Sequence, residues 1–373
     1  MTMNFNLTLW TRRLEAIPAS RFVIGAAASI VVIGGVDHFS GSMTLLTIFY
    51  LVPVATAAWV VGRATAQWLA LFAAVIWAVA DTIGPLAEPK APLAWFNDAS
   101  ILIVFFFINV VVSALREQVR RQRDLLQDVQ RHLLPAIPRL ANVDVASRWI
   151  PLWTVGGDYY DVIDAGPNQL ALCLADVSGK GIAAALVMSN VQAALRALVS
   201  SGATPESVLT TLNRLLHQRL RTRFFVTMFF GVLDTVGGRF TCVNAGHNAP
   251  IVTREDGTLI ALESTGPVVG ILAEATYQSV TIELAERDRL VIYSDGVTEY
   301  ENPAGEEFGE ARLRELLTHE GGKPAEETCL AIVDALHAFG GGRPYDDDVT
   351  MLVVRRSLQS SMETHHATAG MAP

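Results

Sequence analysis

The stretch LALCLADVSGKGIAAALVM, Leu170–Met188, decides how the C-terminal half of the chain is read. It opens on an uncharged apolar run, LALCLA, and breaks at Asp176. After Gly179-Lys180-Gly181 it resumes as an alanine-rich apolar segment. A short apolar run bounded by turn residues reads as a buried strand, and a longer one as a helix. The expected elements are a strand over Gln169–Val177 and a helix over Gly181–Leu198. A carboxylate where a buried strand ends, followed closely by glycine, is held firmly and leaves room for backbone to approach a ligand.

Working outward, the same grammar recurs. Further strands are expected over Phe224–Asp234, Arg239–Val243, Pro250–Thr253, Thr258–Leu262, Ser279–Leu284, Arg289–Tyr293 and Val349–Val354. Glu255-Asp256-Gly257 marks a hairpin turn. Helical pairs are expected over Gly181–Leu198 with Pro205–Arg221, and over Glu307–Leu317 with Ala325–Phe339. Strand runs alternating with helical pairs predict packed sheets with helices outside. Four acidic clusters stand where strands should end: Gly156-Gly157-Asp158-Tyr159-Tyr160-Asp161, Asp176-Val177-Ser178-Gly179-Lys180-Gly181, Ser294-Asp295-Gly296 and Asp346-Asp347-Asp348-Val349-Thr350. One Asp-Gly is an ordinary turn. Several such carboxylates without a His or Cys pair specify an oxygen-loving cation, Mg²⁺ or Mn²⁺. Two such ions can activate a water and clamp a phosphoryl group.

The ordered motifs LLPAIP (Leu133–Pro138), VGGDYYDV (Val155–Val162), LADVSGKGIAAALVM (Leu174–Met188), NAGHNAP (Asn244–Pro250), YSDGVTE (Tyr293–Glu299) and DDDVTML (Asp346–Leu352) resemble the metal-dependent protein phosphatases of the type 2C fold. The similar branch is the stage-II-sporulation-E-like one, which includes bacterial stress regulators. The resemblance implies an α/β (α+β) four-layer sandwich, two antiparallel sheets flanked by helices, with the metals at one end. It implies a serine/threonine phosphoprotein phosphatase using a water activated by two Mn²⁺ or Mg²⁺ ions. Carried over by motif, Asp158, Asp176, Asp295 and Asp347 are the metal carboxylates and catalytic residues, with the carbonyl of Val177 as a further ligand. Relatives often have glycine at that last place. Asp161 rivals Asp158. Asp347 is preferred to Asp348, and Asp346 is an extra acid. Family analogy makes the substrate a small anti-anti-sigma-like regulator.

Other residues carry weaker signals. His247 could serve as a general acid, or be a strand-end loop histidine. Lys180 and Arg148 could contact phosphate, or be a loop lysine and a strand-edge arginine. Tyr159, Tyr160, Phe224 and Phe225 read as core. His365-His366 lies in a C-terminal stretch, 358–373, without periodicity and expected to be a disordered tail.

The N-terminal third is different in kind. The chain of 373 residues is 51% hydrophobic and only 17% charged, below the quarter or so usual for a soluble domain. The excess sits in Phe22–Val36, Met43–Val61, Ala64–Ala80 and Ala99–Leu115, stretches without a charge and each near the ~17–25 residues that span a bilayer. They predict an all-α bundle of four spans. Arg12, Arg13, Arg21, Arg63 and the Arg116–Arg123 cluster fall on one side, against Lys90 on the other. Both termini are therefore expected in the cytoplasm of a bacterial inner-membrane, multi-pass protein. Asp37, Asp81, Glu88 and Asp98 line the outer rim, as polar helix ends or a cation-sensing site. FYLVPVATAAWVVGR (Phe49–Arg63) is similar to input modules of bacterial signalling proteins.

Between the halves, Leu115, Val119, Gln122, Leu126, Val129 and Leu133 repeat with spacings of 4, 3, 4, 3 and 4. This coiled-coil seam, with one polar position, predicts a homodimer through the connector. Its arginines favour anionic lipid, and Pro135 and Pro138 end the helix. The expected divisions are 1–115 membrane module, 116–140 connector, 141–357 phosphatase and 358–373 tail. The net charge of −9 argues against a nucleic-acid partner. Three scattered cysteines, Cys173, Cys242 and Cys329, exclude a disulfide framework. Two competing readings are a module of the same fold that has lost its metals, and a diguanylate cyclase. Gly156-Gly157-Asp158 prompts the latter, but the downstream motifs have no place in a cyclase.

Overall fold

The computed structural model describes residues 14, 17–40, 47–83, 92–133, 135, 137–138, 142–152, 155–220, 224–319 and 322–357. The expected tail with His365-His366, and the rim residues Glu88 and Lys90, lie outside them. The chain forms two compact units, Met1–Asp124 and Leu125–Pro373.

The first unit holds the apolar helices α1 (Ala19–Ser40), α2 (Thr47–Val60) and α3 (Arg63–Ile83) and most of α4 (Pro92–Leu133), whose end from Leu125 onward belongs to the second unit. The first unit's surface is inverted relative to a soluble domain. Ile24, Val32, Ile103, Phe106 and Phe107 point outward, while Ala57, Ala58, Ala66, Ala70 and Ala73 are buried. Small residues at helix contacts let backbones approach closely, as bundles in lipid require. Stretches in α1, α3 and α4 are long and apolar enough to cross a membrane; α2 is shorter, with 14 residues and Pro53 inside. The guanidinium of Arg116 on α4 donates to the carbonyls of Val60 (2.8 Å) and Ala58 (3.5 Å), closing the C-terminal end of α2. The last helix is continuous for 42 residues and stops at Leu133, just before Pro135.

The second unit contains β1 (Val143–Ile150), β2 (Tyr159–Gly166), β3 (Gln169–Val177), α5 (Ile182–Val199), α6 (Pro205–Leu220), β4 (Val226–Asp234), β5 (Arg239–Ala245), β6 (Ile251–Thr253), β7 (Leu259–Ala261), β8 (Val280–Glu283), β9 (Arg289–Tyr293), the single turn α7 (Asp295–Thr298), α8 (Gly309–His319), α9 (Ala325–Gly340) and β10 (Val349–Arg356). One antiparallel sheet runs β1-β10-β9-β6-β7, and the other β2-β3-β4-β5-β8. Strand parity builds the layers, because successive side chains point to opposite faces. In β3, Leu170, Leu172 and Leu174 meet Ile292, Leu352 and Val354 of the other sheet. Ala171, Cys173, Ala175 and Val177 pack under α5 and α6 instead. Val349, Met351 and Val353 of β10 pack under α8 and α9. The result is the four-layer sandwich, helices–sheet–sheet–helices. α5 is as long and apolar as a membrane span, yet its Ala184, Met188, Val191 and Leu195 are buried against the sheet.

Strand β2 has no counterpart among the expected strands, and β1 is foreshadowed only by the reading of Arg148 as a strand-edge arginine. β1 (VDVASRWI) carries Asp144, Ser147 and Arg148 on a sheet edge, so it lacks an apolar signature. β2 starts inside the cluster taken for a strand end and carries Asp161 within it.

Candidate active site

The acidic clusters flank strands on both sides. Asp176 closes β3 and Asp295 follows β9, but Asp158 precedes β2 and Asp347 precedes β10. Antiparallel pairing brings these starts and ends together, with Tyr159 opposite Ala175 and Met351 opposite Tyr293. Two acids thus come from each sheet. The link between sheets is direct: Thr350 Oγ1 of β10 donates to Asp158 Oδ2.

Parity also separates Asp158 from Asp161. Tyr160 and Val162 face the opposite sheet, whereas Tyr159 faces the helices. Asp161 shares the face of Tyr159 and is fully buried. There it accepts from Arg196 Nε at 2.7 Å and Nη2 at 2.9 Å, from the Val162 amide at 2.9 Å, and from the Tyr159 hydroxyl. Asp161 is committed to pinning α5 onto β2. Asp158, 2% exposed, stands with the other acids.

Those acids repel one another. Burial pushes Asp158 well above the usual carboxylate range, and Asp176 and Asp348 push further, against hydrogen bonds from Thr350 and Ser294. Asp176 is raised to about 7 by burial and then by Asp295, with Asp347 and Asp348 adding. Asp295 is raised to about 6 by burial, then by Asp347 and Glu299. Among the described residues, no three His, Cys, Asp or Glu side chains converge into a ready-made ion cage. The ammonium of Lys180 instead lies on Asp347 Oδ2 at 2.6 Å and on the Asp346 carbonyl at 3.2 Å. The donor set nonetheless fits a hard divalent ion: it is all oxygen, and its mutual repulsion is the kind a cation relieves.

Glycines allow the close approach. A Cβ on Gly157 would stand 3.0 Å from the Val177 carbonyl oxygen and 3.5 Å from Asp176 Oδ1, which places that carbonyl beside the loop carrying Asp158. A Cβ on Gly156 would stand 2.3 Å from Asp348 Oδ2. Asp348 accepts from the amides of Leu152 (2.6 Å) and Gly157 (2.9 Å), so it holds the Gly-Gly loop.

The weaker candidates fall elsewhere. Arg148 is bound to Glu326 of α9 and to the Ser147 carbonyl. His247 is buried, its Nδ1 2.9 Å from Thr227 Oγ1. Burial pulls its pKa down to about 4, so the ring is neutral near pH 7 and ill suited to donate a proton. Thr227 lies opposite Asp176 in the β3–β4 pairing, so His247 braces the strand beside that acid. Tyr159 and Tyr160 are core, Phe224 is partly buried against it and Phe225 is more exposed. All three cysteines are free and buried. Ser294 and Thr350 fall within the acidic clusters without a role of their own there, and neither Arg196 nor Gln130, whose Nε2 donates to the Gly156 carbonyl at 2.9 Å, carries a sequence signal. Thr350 sits in the Asp-Asp-x-Thr motif, which could have flagged it; Arg196 and Gln130 act across long sequence separations.

The raised acids make stability depend on pH. Each has an ordinary value of 3.8 and a higher one when folded, so the folded chain holds more protons between these values. Stability of the metal-free protein is then highest below about pH 4 as far as these groups are concerned, and is lost as pH rises toward 7. Thermal unfolding at pH 5 and pH 8 with chelator should show the higher midpoint at pH 5, and added Mn²⁺ should narrow the gap. A metal-free protein equally stable at both would contradict the crowding of charge.

Residues 166–357 match the family of stage II sporulation protein E (SpoIIE). The chain is 30% identical over 250 residues to phosphoserine phosphatase RsbU of Bacillus subtilis, covering 66% of this chain and 73% of that protein. Among solved structures, the RsbU and RsbW domains of Rv1364c from Mycobacterium tuberculosis superpose with a TM-score of 0.53 at 27% identity, over 61% of this chain and 63% of that one. The SiaA-PP2C domain of Pseudomonas aeruginosa is similar in fold, with a TM-score of 0.57 at 20% identity, over 65% of this chain and 99% of that one.

Proposed function

This chain belongs to the SpoIIE family and is a protein phosphatase, and we propose that it hydrolyses phosphoserine or phosphothreonine on a small anti-anti-sigma-like regulator, in control of a sigma factor, from a bacterial cell membrane. The observation that carries the site assignment is the meeting of Asp158 and Asp176 from one sheet with Asp295 and Asp347 from the other, with the first three held at raised pKa by burial and by their acidic neighbours. These four carboxylates, with the Val177 carbonyl, would hold Mn²⁺ or Mg²⁺. Two such ions, when bound, supply an activated water and neutralise charge on the phosphoryl oxygens. The chain's own contribution is placement. Thr350 and Ser294 orient Asp158, and Asp348 fixes the loop before it. Lys180, half-exposed on Asp347, is free to swing onto an incoming phosphate once a cation takes its place.

We assign residues 1–115 to a membrane module, 116–140 to a connector that pairs two protomers, and 141–357 to the phosphatase. The arginines at Arg63 and Arg116–Arg123 support a cytoplasmic location for both termini. The test is release of inorganic phosphate from a phosphoserine regulator by the purified full chain, with Mn²⁺ and with chelator. Release only with the metal is expected. No release at any Mn²⁺ or Mg²⁺ concentration would favour a binding module that has lost its chemistry.

A further inference from the structure

Helices α1 and α2 border a cavity of about 480 Å³. Arg21, Gly25, Ser29 and Ile33 line it from α1, and Val52 and Thr56 from α2. The α1 residues recur every four positions and so follow one gently winding face of the helix. The cavity is therefore a groove along α1. The twelve positions from Arg21 to Ile33 make about 18 Å of helix.

The two hydroxyls on its walls are already engaged. Ser29 Oγ donates to the Gly25 carbonyl at 2.8 Å, and Thr56 Oγ1 to the Val52 and Pro53 carbonyls at 2.7 and 3.1 Å. Each is satisfied within its own helix, as hydrocarbon surroundings require. Gly25 leaves the floor open, since a Cβ there would meet nothing within 4 Å. Of the residues lining the groove, Arg21 alone is charged, and it stands near one end. Among the described residues no carboxylate pairs with its exposed guanidinium.

Hydrocarbon walls with one cation at the end match an amphiphile with an apolar tail and an anionic head. The Arg21 end of α1 is also the end that the arginine distribution favours for the cytoplasmic side, where the leaflet is anionic. A second copy of α1 is the rival apolar occupant. Copies in one membrane share an orientation, so a two-fold pair through this face would set Arg21 beside Arg21 at one depth. That like-charge contact disfavours the helix.

We propose that the α1–α2 groove binds one acyl chain of an anionic phospholipid, with the phosphate of its headgroup on Arg21. The proposal rests on the reading of these helices as membrane spans, and it gives the membrane module a ligand site of its own.

The experiment uses the full chain purified from membranes in mild detergent. The probes are dioleoyl phosphatidylglycerol and dioleoyl phosphatidylcholine, and native mass spectrometry counts the lipids retained. The wild type should hold phosphatidylglycerol in preference to phosphatidylcholine. Arg21→Gln should reduce that preference about fivefold, as expected for one arginine at an anionic headgroup. Gly25→Leu, placed where there is open space, should fill the groove and lower retention of both lipids. Unchanged preference in Arg21→Gln, or unchanged retention in Gly25→Leu, overturns the proposal. A Gly25→Leu chain that changes oligomeric state but keeps its lipid would make the groove an interface between copies, which overturns it too. Photocrosslinking of the wild type with phosphatidylglycerol carrying a diazirine in its acyl chain needs no variant to fold. The label must fall on peptides of α1 or α2; label confined to α3 and α4 is a refutation. Washing native membranes with alkaline carbonate tests the underlying reading: a chain released into the wash would overturn the spans, and this site with them.

Discussion

Asp176→Asn should lose turnover by more than the roughly 100-fold that an outer-shell partner typically costs, with the sandwich intact. Asp176 sits at the end of β3, on the inter-sheet face, and feels Asp158, Asp295, Asp347 and Asp348 at once. Replacing its carboxylate by an amide removes one negative charge from a site that needs several. It also removes a repulsion, so the metal-free protein should unfold at the same temperature or higher. Asp295→Asn should behave alike, because its carboxyl is raised for the same reasons. Asp161→Asn is the informative contrast. It breaks the ion pair between buried Asp161 and half-exposed Arg196 on the other face of the strand, so stability should fall while the Mn²⁺ requirement of the remaining folded protein stays. Near-wild-type activity of Asp176→Asn at limiting Mn²⁺ would remove it from the site.

Gly296→Ala is expected to be the most damaging single methyl group in the sandwich. A Cβ there would stand 2.0 Å from the Asp348 carbonyl oxygen and 2.8 Å from its carbon. Both neighbours are backbone, so no side chain can swing aside. The turn Asp295–Thr298 and the segment before β10 must separate, which breaks the Ser294 Oγ bonds to the Asp348 carbonyl (3.1 Å) and from the Thr350 amide (3.0 Å). Overpacking of this kind costs about 3 kcal/mol, and the displaced residues are the ones carrying Asp295 and Asp347. Thermal unfolding should show a drop of several degrees, and Mn²⁺ titration a weakened site. A variant with wild-type midpoint and affinity would show that these segments do not touch as described.

Local patterns made much of this architecture legible. β3, β9 and both helical pairs announce themselves by apolar runs with glycine or proline at their borders, and the core they form is local in signal. β2 did not, because Asp161 interrupts it. That carboxylate is tolerable in a buried strand only because Arg196, 35 residues on, reaches it. With β2 unrecognised, the three-residue offset between Asp158 and Asp161 carried no information; with the strand in place it puts them on opposite faces. The acids at Asp176 and Asp295 could be read from strand-end motifs. Gln130 could not, since its partner is a backbone amide with no sequence signature.

The strand order has a consequence for how the protein is made. β10, the last strand, lies between β1 and β9, at the interior of its sheet. β1 leaves the ribosome roughly 200 residues before its partner β10, a wait of roughly 10–40 s at usual elongation rates. Until then β1 and β9 present unpaired edges, and the Asp347 that β10 brings is missing from the site. Synthesis therefore withholds the completed sheet until Val349–Arg356 has been made. A message cut short before Val349 yields a product with open strand edges, prone to aggregate or be degraded, rather than a phosphatase released from its regulation.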